Sequence, residues 1–385
     1  MKKNNFLLTI ILIVIFGLAA GIVGEIVARG YLFNNDALLK EVNFSHDYNN
    51  QGVVIKDAKN IVIEQNVKVN ETINSVSTSI VGIFKKQATV KRSSSINFNL
   101  NNYYQLDQSI GQGLIITSDG WIISDLPKEV VSSPIDYVII TKDKNIYSID
   151  KIIKDDLTSF SFIHILAKDL PVRKFANSDE IKNGNLVIAM DFRGNSILTS
   201  IINQQVKNSE LISYSDGLSG NIILNDLSQQ SFNGTFFFNL SGDIIAFADR
   251  LEPDRGGTIK PISYFTGAIK SLLKYKEIRR ASLGVNYIDL TKLALIDGDS
   301  NNYLKNGAVI SKDSKGVSIE KDSQAFLAGL KAGDVITSID NVELDENNNL
   351  TKIIQQHIAG DKINIEYWRQ GEKKQTEIVL KPLKL

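Results

Sequence analysis

Chemistry in a protein starts from a short list of side chains, and this 385-residue chain holds few of them. It has no cysteine, which excludes a disulfide framework, a thiol nucleophile and a cysteine-ligated metal. Its three histidines are His46, His164 and His357, so any mechanism with a histidine base must use one of them. His46 sits in an Asn/Asp-rich stretch, His164 in an apolar run with strand character, and His357 in a stretch with helical spacing. No His/carboxylate cluster has metal-ligand spacing and no phosphate-cradling glycine loop occurs, so neither metal nor cofactor is expected. Forty-three basic residues balance 43 acidic ones, and this zero net charge gives no reason to expect a nucleic-acid partner.

The elements that must position any site begin with a membrane segment. Phe6 to Val23 is uncharged and mostly apolar, and with Gly24 to Ala28 it can cross about 30 Å of hydrocarbon. Lys2 and Lys3 precede it, so the positive-inside rule puts the N-terminus in the cytoplasm and the rest of the chain outside. An uncleaved single-pass anchor in the plasma membrane is expected. A cleaved signal peptide is the alternative, although the apolar run is long and no clean A-x-A site follows it. Residues 30–66 are Asn/Asp-rich and look like a stalk, and Lys68 to Val76 has helical spacing.

Short apolar and β-branched runs follow, separated by turn signals: Ile80 to Phe84, Leu114 to Thr117, Trp121 to Ser124, Tyr137 to Thr141, Ile146 to Ile149, Phe160 to Leu166, Leu186 to Met190, Ile222 to Leu224, Thr235 to Asn239 and Asp243 to Ala248. Asp119-Gly120 between the second and third is a strong two-residue hairpin signal. Such spacing predicts a mostly β fold of barrel or sandwich type. Tyr264 to Ile278 is amphipathic at helical spacing and would link this region to a C-terminal part with short strands and two helices.

Several stretches resemble a known family. Gly111 to Pro127, GQGLIITSDGWIISDLP, resembles the hairpin of HtrA/Deg-type serine proteases that carries the catalytic histidine. LPVRKFANSDEIKNGNLVIAM (Leu170 to Met190) and NGTFFFNLSGDIIAFA (Asn233 to Ala248) resemble later segments of that family. SQAFLAGLKAGDVITSIDNVEL (Ser323 to Leu344) resembles a bacterial-type PDZ domain. The resemblance implies a trypsin-like double β-barrel followed by an α+β PDZ domain. The expected organisation is an anchor at 1–29, a stalk at 30–66, a protease-fold domain at 67–265, a linker helix at 266–279 and a PDZ domain at 280–385. Relatives of this type are usually trimers, so a homotrimer is expected.

Carried over position by position, the triad is gone. The histidine position is Pro127, the aspartate position Ser159 and the serine position Asn233, and Ser231 stands where the oxyanion loop has a glycine. Proline has no titratable group, and Ser159 carries no charge to stabilise an imidazolium. A shifted alignment could make Ser228 or Ser231 the nucleophile, but a base would still be missing. An inactive protease scaffold is therefore expected, with an active serine endopeptidase of the cell envelope as the alternative. In the PDZ part, Ser282, Leu283, Gly284 and Val285 occupy the family's carboxylate loop and Val285 to Ile288 its edge strand. Leu350, Ile354 and Ile358, at i, i+4 and i+8, form either the other groove wall or simply core. The expected partners are C-terminal or exposed peptides and unfolded chain ends.

Overall fold

The computed structural model describes residues 20, 58–88, 99–177, 180–205, 211–218, 220–225, 234–249, 259–294 and 304–384. Apart from Ala20, the apolar run Phe6 to Val23 lies outside the described residues, as do His46, Ser228, Ser231 and Asn233. Among the described residues no helix is long and apolar enough to cross a membrane.

Helix α1 (Ala58–Ser77) comes first, so helix begins within the stretch read as stalk. The Thr72 hydroxyl on it donates to the Leu240 carbonyl at 2.8 Å, and Val76 is buried in the core. Six strands then close a barrel: β1 (Ile80–Lys85), β2 (Gly111–Ile115), β3 (Trp121–Ser124), β4 (Tyr137–Ile140), β5 (Ile146–Lys154) and β6 (Ser161–Ile165), in the order β1-β2-β3-β6-β5-β4. Successive side chains point to opposite faces, and in β1, β2, β3, β4 and β6 both faces are mostly buried, whereas β5 is half-buried to exposed throughout. Val81, Ile83, Ile115, Ile122, Ile139 and Ile163 pack together inside this barrel. Their neighbours Ile80, Phe84, Leu114, Ile123, Val138 and Phe162 join the core shared with the second barrel. Burial on both faces explains why such strands read as near-continuous apolar runs rather than alternating ones.

The β2–β3 connection corrects one expectation. Strands β2 and β3 form the expected hairpin, but the turn centre moves by one residue: Gly120 N–H to Thr117 O at 3.3 Å puts Ser118 and Asp119 there, and Ile116 N–H to Trp121 O at 2.9 Å closes the loop. Thr117 explains it: its hydroxyl donates to the Asp119 carboxylate and accepts the Trp121 N–H at 3.0 Å. Those local bonds outcompete a turn centred on Asp119-Gly120, and Gly120, at φ +110°, closes the loop onto β3.

The second closed barrel comprises β7 (Leu186–Met190), β8 (Ser196–Gln205), β10 (Asn221–Leu224), β11 (Phe236–Phe238), β12 (Ile244–Ala248) and β13 (Ile259–Pro261), in the order β10-β13-β12-β11-β7-β8. A short strand β9 (Ile212–Tyr214) leaves this run and pairs elsewhere. Phe160, Phe236, Phe247 and Phe265 stack edge-on or tilted at the centre, with ring centroids 4.8–5.8 Å apart.

Helix α3 (Ser263–Tyr275) leads to the C-terminal domain; α2 (Lys128–Ser132) is a single turn after β3. The C-terminal domain contains β14 (Ala281–Ser282), β15 (Asn286–Asp289), β16 (Ala308–Ile310), α4 (Gln324–Leu327), β17 (Val335–Ile339), β18 (Val342–Glu343), α5 (Leu350–Gln356), β19 (Lys362–Arg369), β20 (Glu372–Val379) and β21 (Lys381–Pro382). Both barrels and this domain belong to one compact unit, Lys59–Leu385. Helix α3 crosses α5 so closely that a Cβ on Gly267 would lie 2.4 Å from the Gln355 carbonyl oxygen, a place only glycine can fill. Beside that crossing Arg280, 4% exposed, grips Asp155, 1% exposed, with Nε 3.2 Å from Oδ1 and Nη2 bonded to Oδ2. Its Nη1 donates to the Tyr264 carbonyl at 2.5 Å. One ion pair thus ties a first-barrel loop to the entrance of the C-terminal domain.

Candidate functional site

Two regions could act. The first is the cleft region of the barrels. Pro127 is buried and caps α2, with φ −56° and ψ 144°, and its carbonyl accepts the Val130 N–H at 3.1 Å. Ser159 is exposed and held at φ +69° in a turn closed by Asp155 N–H to Phe160 O and Ser159 N–H to Asp155 O, both 2.8 Å. The nearby carboxylate, Asp155, has both oxygens committed: Oδ1 to Arg280, Oδ2 to Arg280 and the Thr158 hydroxyl. Next to position 233, the Gly234 carbonyl accepts the Gln112 side-chain amide at 3.1 Å, and the Gln112 Oε1 accepts the Phe192 N–H at 2.7 Å. Gln112 thus pins the first barrel to the second beside residue 233, a role its polar position in a strand did not signal.

The two described histidines have other partners. His164 pairs through Nδ1 with Asp150 at 2.7 Å and lies 4.8 Å from the Trp121 ring, the setting of a packed surface histidine. His357 caps α5 between Asp361 (3.5 Å) and Asp340 (3.9 Å). Among the described residues no group of three His, Cys, Asp or Glu side chains could hold a metal ion.

The second region is the edge of the C-terminal sheet, whose order is β20-β19-β17-β16-β15-β9 with β18 paired to β17. Strand β9 comes from the second barrel, between β8 and β10, yet it is the outer partner of β15. The two run antiparallel, with Ile212 opposite Ile288, Ser213 opposite Tyr287 and Tyr214 opposite Asn286. The ladder continues as Ser215 N–H to Val285 O at 2.9 Å, and Val285 N–H donates to the Ser215 hydroxyl at 2.9 Å. It ends in the turn Ser282–Gly284. There the Asp216 carboxylate, 1% exposed, accepts the Leu283 N–H at 2.9 Å, the Gly284 N–H at 3.0 Å and the Ser282 hydroxyl at 2.6 Å. Gly284 is at φ +80°, and a Cβ there would lie 2.4 Å from the Ser323 Cβ, so the turn requires glycine twice over.

The other wall is α5. Its Thr351 hydroxyl donates to the Tyr214 carbonyl at 2.8 Å and lies 2.9 Å from the Tyr287 hydroxyl. Burial pushes the Tyr287 hydroxyl pKa up to about 12. Burial, and then the charge of Asp216, push the Tyr214 hydroxyl higher than its ordinary value. Leu350 and Ile354 lie in the domain's hydrophobic core. Ile358 lies beyond the end of α5, buried and bridged to Arg280. The sequence reading singled out the loop Ser282–Val285 but missed Thr351 and the whole segment Ile212 to Asp216.

The fold and the groove together define a trypsin-like double barrel carrying a peptide-binding type of domain. The comparisons with known proteins agree. A PDZ-domain family model matches residues 281–380. A probable periplasmic serine endoprotease, DegP-like, from Marinomonas sp. (strain MWYL1) is 25% identical over 285 residues, covering 71% of this chain and 57% of that protein. A protein of the same description from Pseudomonas fulva (strain 12-X) is 24% identical over 282 residues, covering 71% and 56%. The chain thus spans little more than half the length of these curated relatives. A solved structure described as the HtrA-type protease AlgW with decapeptide covers 82% of this chain and 99% of its own, with a TM-score of 0.50 and 17% identity. The chain is thus built as a trypsin-like double barrel followed by a PDZ domain, and it is similar over both parts to DegP-like serine endoproteases.

Proposed function

We propose that this chain is a membrane-anchored, peptide-binding HtrA-type protein whose barrels do not cleave peptide bonds. The observation that carries the reading is Pro127: the base position holds a buried residue with no proton to take or give. Ser159 adds no charge, Asp155 is committed to Arg280, and the serine position is Asn233. Without nucleophile and base, what remains of a triad enzyme is binding and any oxyanion stabilisation. The function then falls to the PDZ edge, where Leu283 and Gly284 present backbone N–H groups to a carboxylate. Its ligands are C-terminal or exposed peptides of envelope proteins. The Phe6 to Val23 run holds the chain in the plasma membrane with its bulk outside the cytoplasm; the relatives described as periplasmic support that side. Trimers through the barrel domains complete the picture.

The second reading, an active serine endopeptidase, is favoured by the descriptions of the relatives as serine endoproteases. Fluorophosphonate labelling with a casein-cleavage assay on purified full-length protein separates the two. No labelled serine and no cleavage are expected. Cleavage that vanishes when one serine is replaced by alanine would establish the enzyme.

A further inference from the structure

We propose that the PDZ groove is occupied by the protein's own segment Leu211 to Asp216, with Asp216 standing in for a C-terminal carboxylate, and that an external chain end binds by expelling it. The inference rests on the groove reading above and goes beyond it by naming what fills the groove and what must leave.

The geometry is that of a bound chain end. A peptide added to a sheet edge supplies backbone hydrogen bonds along the strand and a carboxylate at the turn. Ile212 to Ser215 supplies the first, antiparallel to Asn286–Asp289 and running toward the turn. A C-terminal residue at Ser215 would place its carboxylate among the N–H groups of Leu283, Gly284 and Val285. The chain does not end there, and side chains substitute. The Asp216 carboxylate takes the Leu283 and Gly284 donors, the Ser215 hydroxyl takes Val285, and Ser215 Oγ–H donates to Asp216 Oδ1 at 2.6 Å. Gly217 then turns the chain away, its N–H bonding back to the Tyr214 carbonyl at 3.2 Å. Ser215 and Asp216 are both buried, so nothing else can reach the turn while they are in place.

The segment is tethered at both ends to the second barrel, through β8 and β10. A tethered ligand acts at an effective concentration on the order of millimolar, so an intrinsic Kd of about 0.1 mM suffices to close roughly nine-tenths of the grooves. An outside peptide then binds with its apparent Kd raised by about tenfold, the inverse of the open fraction. The segment also describes its rival: a free carboxylate, a small final residue where Ser215 sits, and an aromatic before it where Tyr214 sits. When such an end binds, the strand between β8 and β10 is released, so the PDZ domain and the second barrel change together.

The test uses full-length protein in detergent and a fluorescein-labelled peptide Leu-Ile-Ser-Tyr-Ser with a free C-terminus, with the C-terminal amide as control. Fluorescence anisotropy should show weak binding to wild type, at least about tenfold tighter binding to Asp216→Ala, and none of the amide to either. Hydrogen exchange on wild type should show residues 211–216 protected alone and exchanging faster with saturating peptide. That second measurement decides the matter even where the variant fails to fold. Equal affinity for wild type and variant, with exchange at 211–216 unchanged by bound peptide, would overturn self-occupancy while leaving the peptide-binding groove standing. Failure of the free-acid peptide to bind either protein would remove both.

Discussion

The barrel cleft and the PDZ groove differ in the kind of atom that carries their function. A triad cleft depends on side chains, and on the function proposed above its positions hold Pro127 and Ser159 while both barrels still close. The groove depends on backbone: the N–H groups of Leu283 and Gly284, and the strand Asn286–Asp289. Substitution can empty a side-chain site without disturbing the strands around it. A backbone site persists as long as its turn can form, and here the turn needs only glycine at 284. The two regions therefore answer mutation differently, and three experiments can break or sharpen that contrast.

The largest expected effect concerns the cleft. Loss of nucleophile and base together removes on the order of 10⁶ in rate from a triad enzyme, and triad members act as a unit. Pro127→His, Ser159→Asp and Asn233→Ser made singly should therefore leave casein cleavage at background. The triple variant should cleave weakly at most, because Ser231 stays in the oxyanion loop and one lost donor costs on the order of 10²–10³ in rate. Adding Ser231→Gly should raise the rate further. Restoration of substantial cleavage by any single change would mean that the remaining parts of a site are present after all, and that the cleft is less empty than its sequence.

Between the regions stands Arg280, and its loss should be the largest effect on stability. Arg280→Ala would leave Asp155 buried with its charge uncompensated, at a cost of about 3–5 kcal/mol. The double variant Arg280→Met, Asp155→Leu should recover much of that, since replacing a buried pair by apolar groups of similar volume is often close to neutral. Urea denaturation of the three proteins measures it. A single variant as stable as wild type would show that the pair does not join the barrel to the PDZ domain energetically.

Most of this architecture was legible in the chain and part of the site was not. Leu114, Ile123 and Phe162 read as strand because both faces of their strands are buried, and the loop Ser282 to Val285 was legible only through the resemblance to a PDZ domain. The centre of the hairpin turn did not read from the chain, because the Thr117 hydroxyl redirected it. Strand β9 did not either. It is three residues long, and its ladder partner lies far along the chain, so no local period betrays it. Leu350 and Ile354 carried the apolar helical spacing of a groove wall or a core, and they lie in the core. The residue that touches the neighbouring strand is the polar Thr351 between them in the sequence. Asp216 looked like any loop aspartate, and its importance comes entirely from the turn it meets.

The smallest effect sharpens the groove side of the contrast. Tyr287 lies under the groove, and its hydroxyl bonds Thr351, which in turn holds the Tyr214 carbonyl. Tyr287→Phe removes the buried hydrogen bonds of the hydroxyl to the Thr351 side chain and backbone N–H and should cost about 1 kcal/mol at pH 8. The alkaline limb is more telling. Burial raises the Tyr287 hydroxyl pKa to about 12 in the folded protein, against about 10 in an unfolded chain. Between those values the folded state holds the proton and the unfolded state has lost it, so stability falls as pH rises. This group's contribution is complete below about pH 10 and is lost through about pH 12, roughly 2–3 kcal/mol in all. The phenylalanine variant has no such proton. The stability difference between wild type and Tyr287→Phe, measured by urea denaturation from pH 8 to 11.5, should therefore shrink and then reverse as pH rises. Every other titratable group is present in both proteins and cancels in the difference. A difference constant with pH would mean that the hydroxyl is reached by water, and that the floor of the groove is more open than the bonds from Thr351 imply.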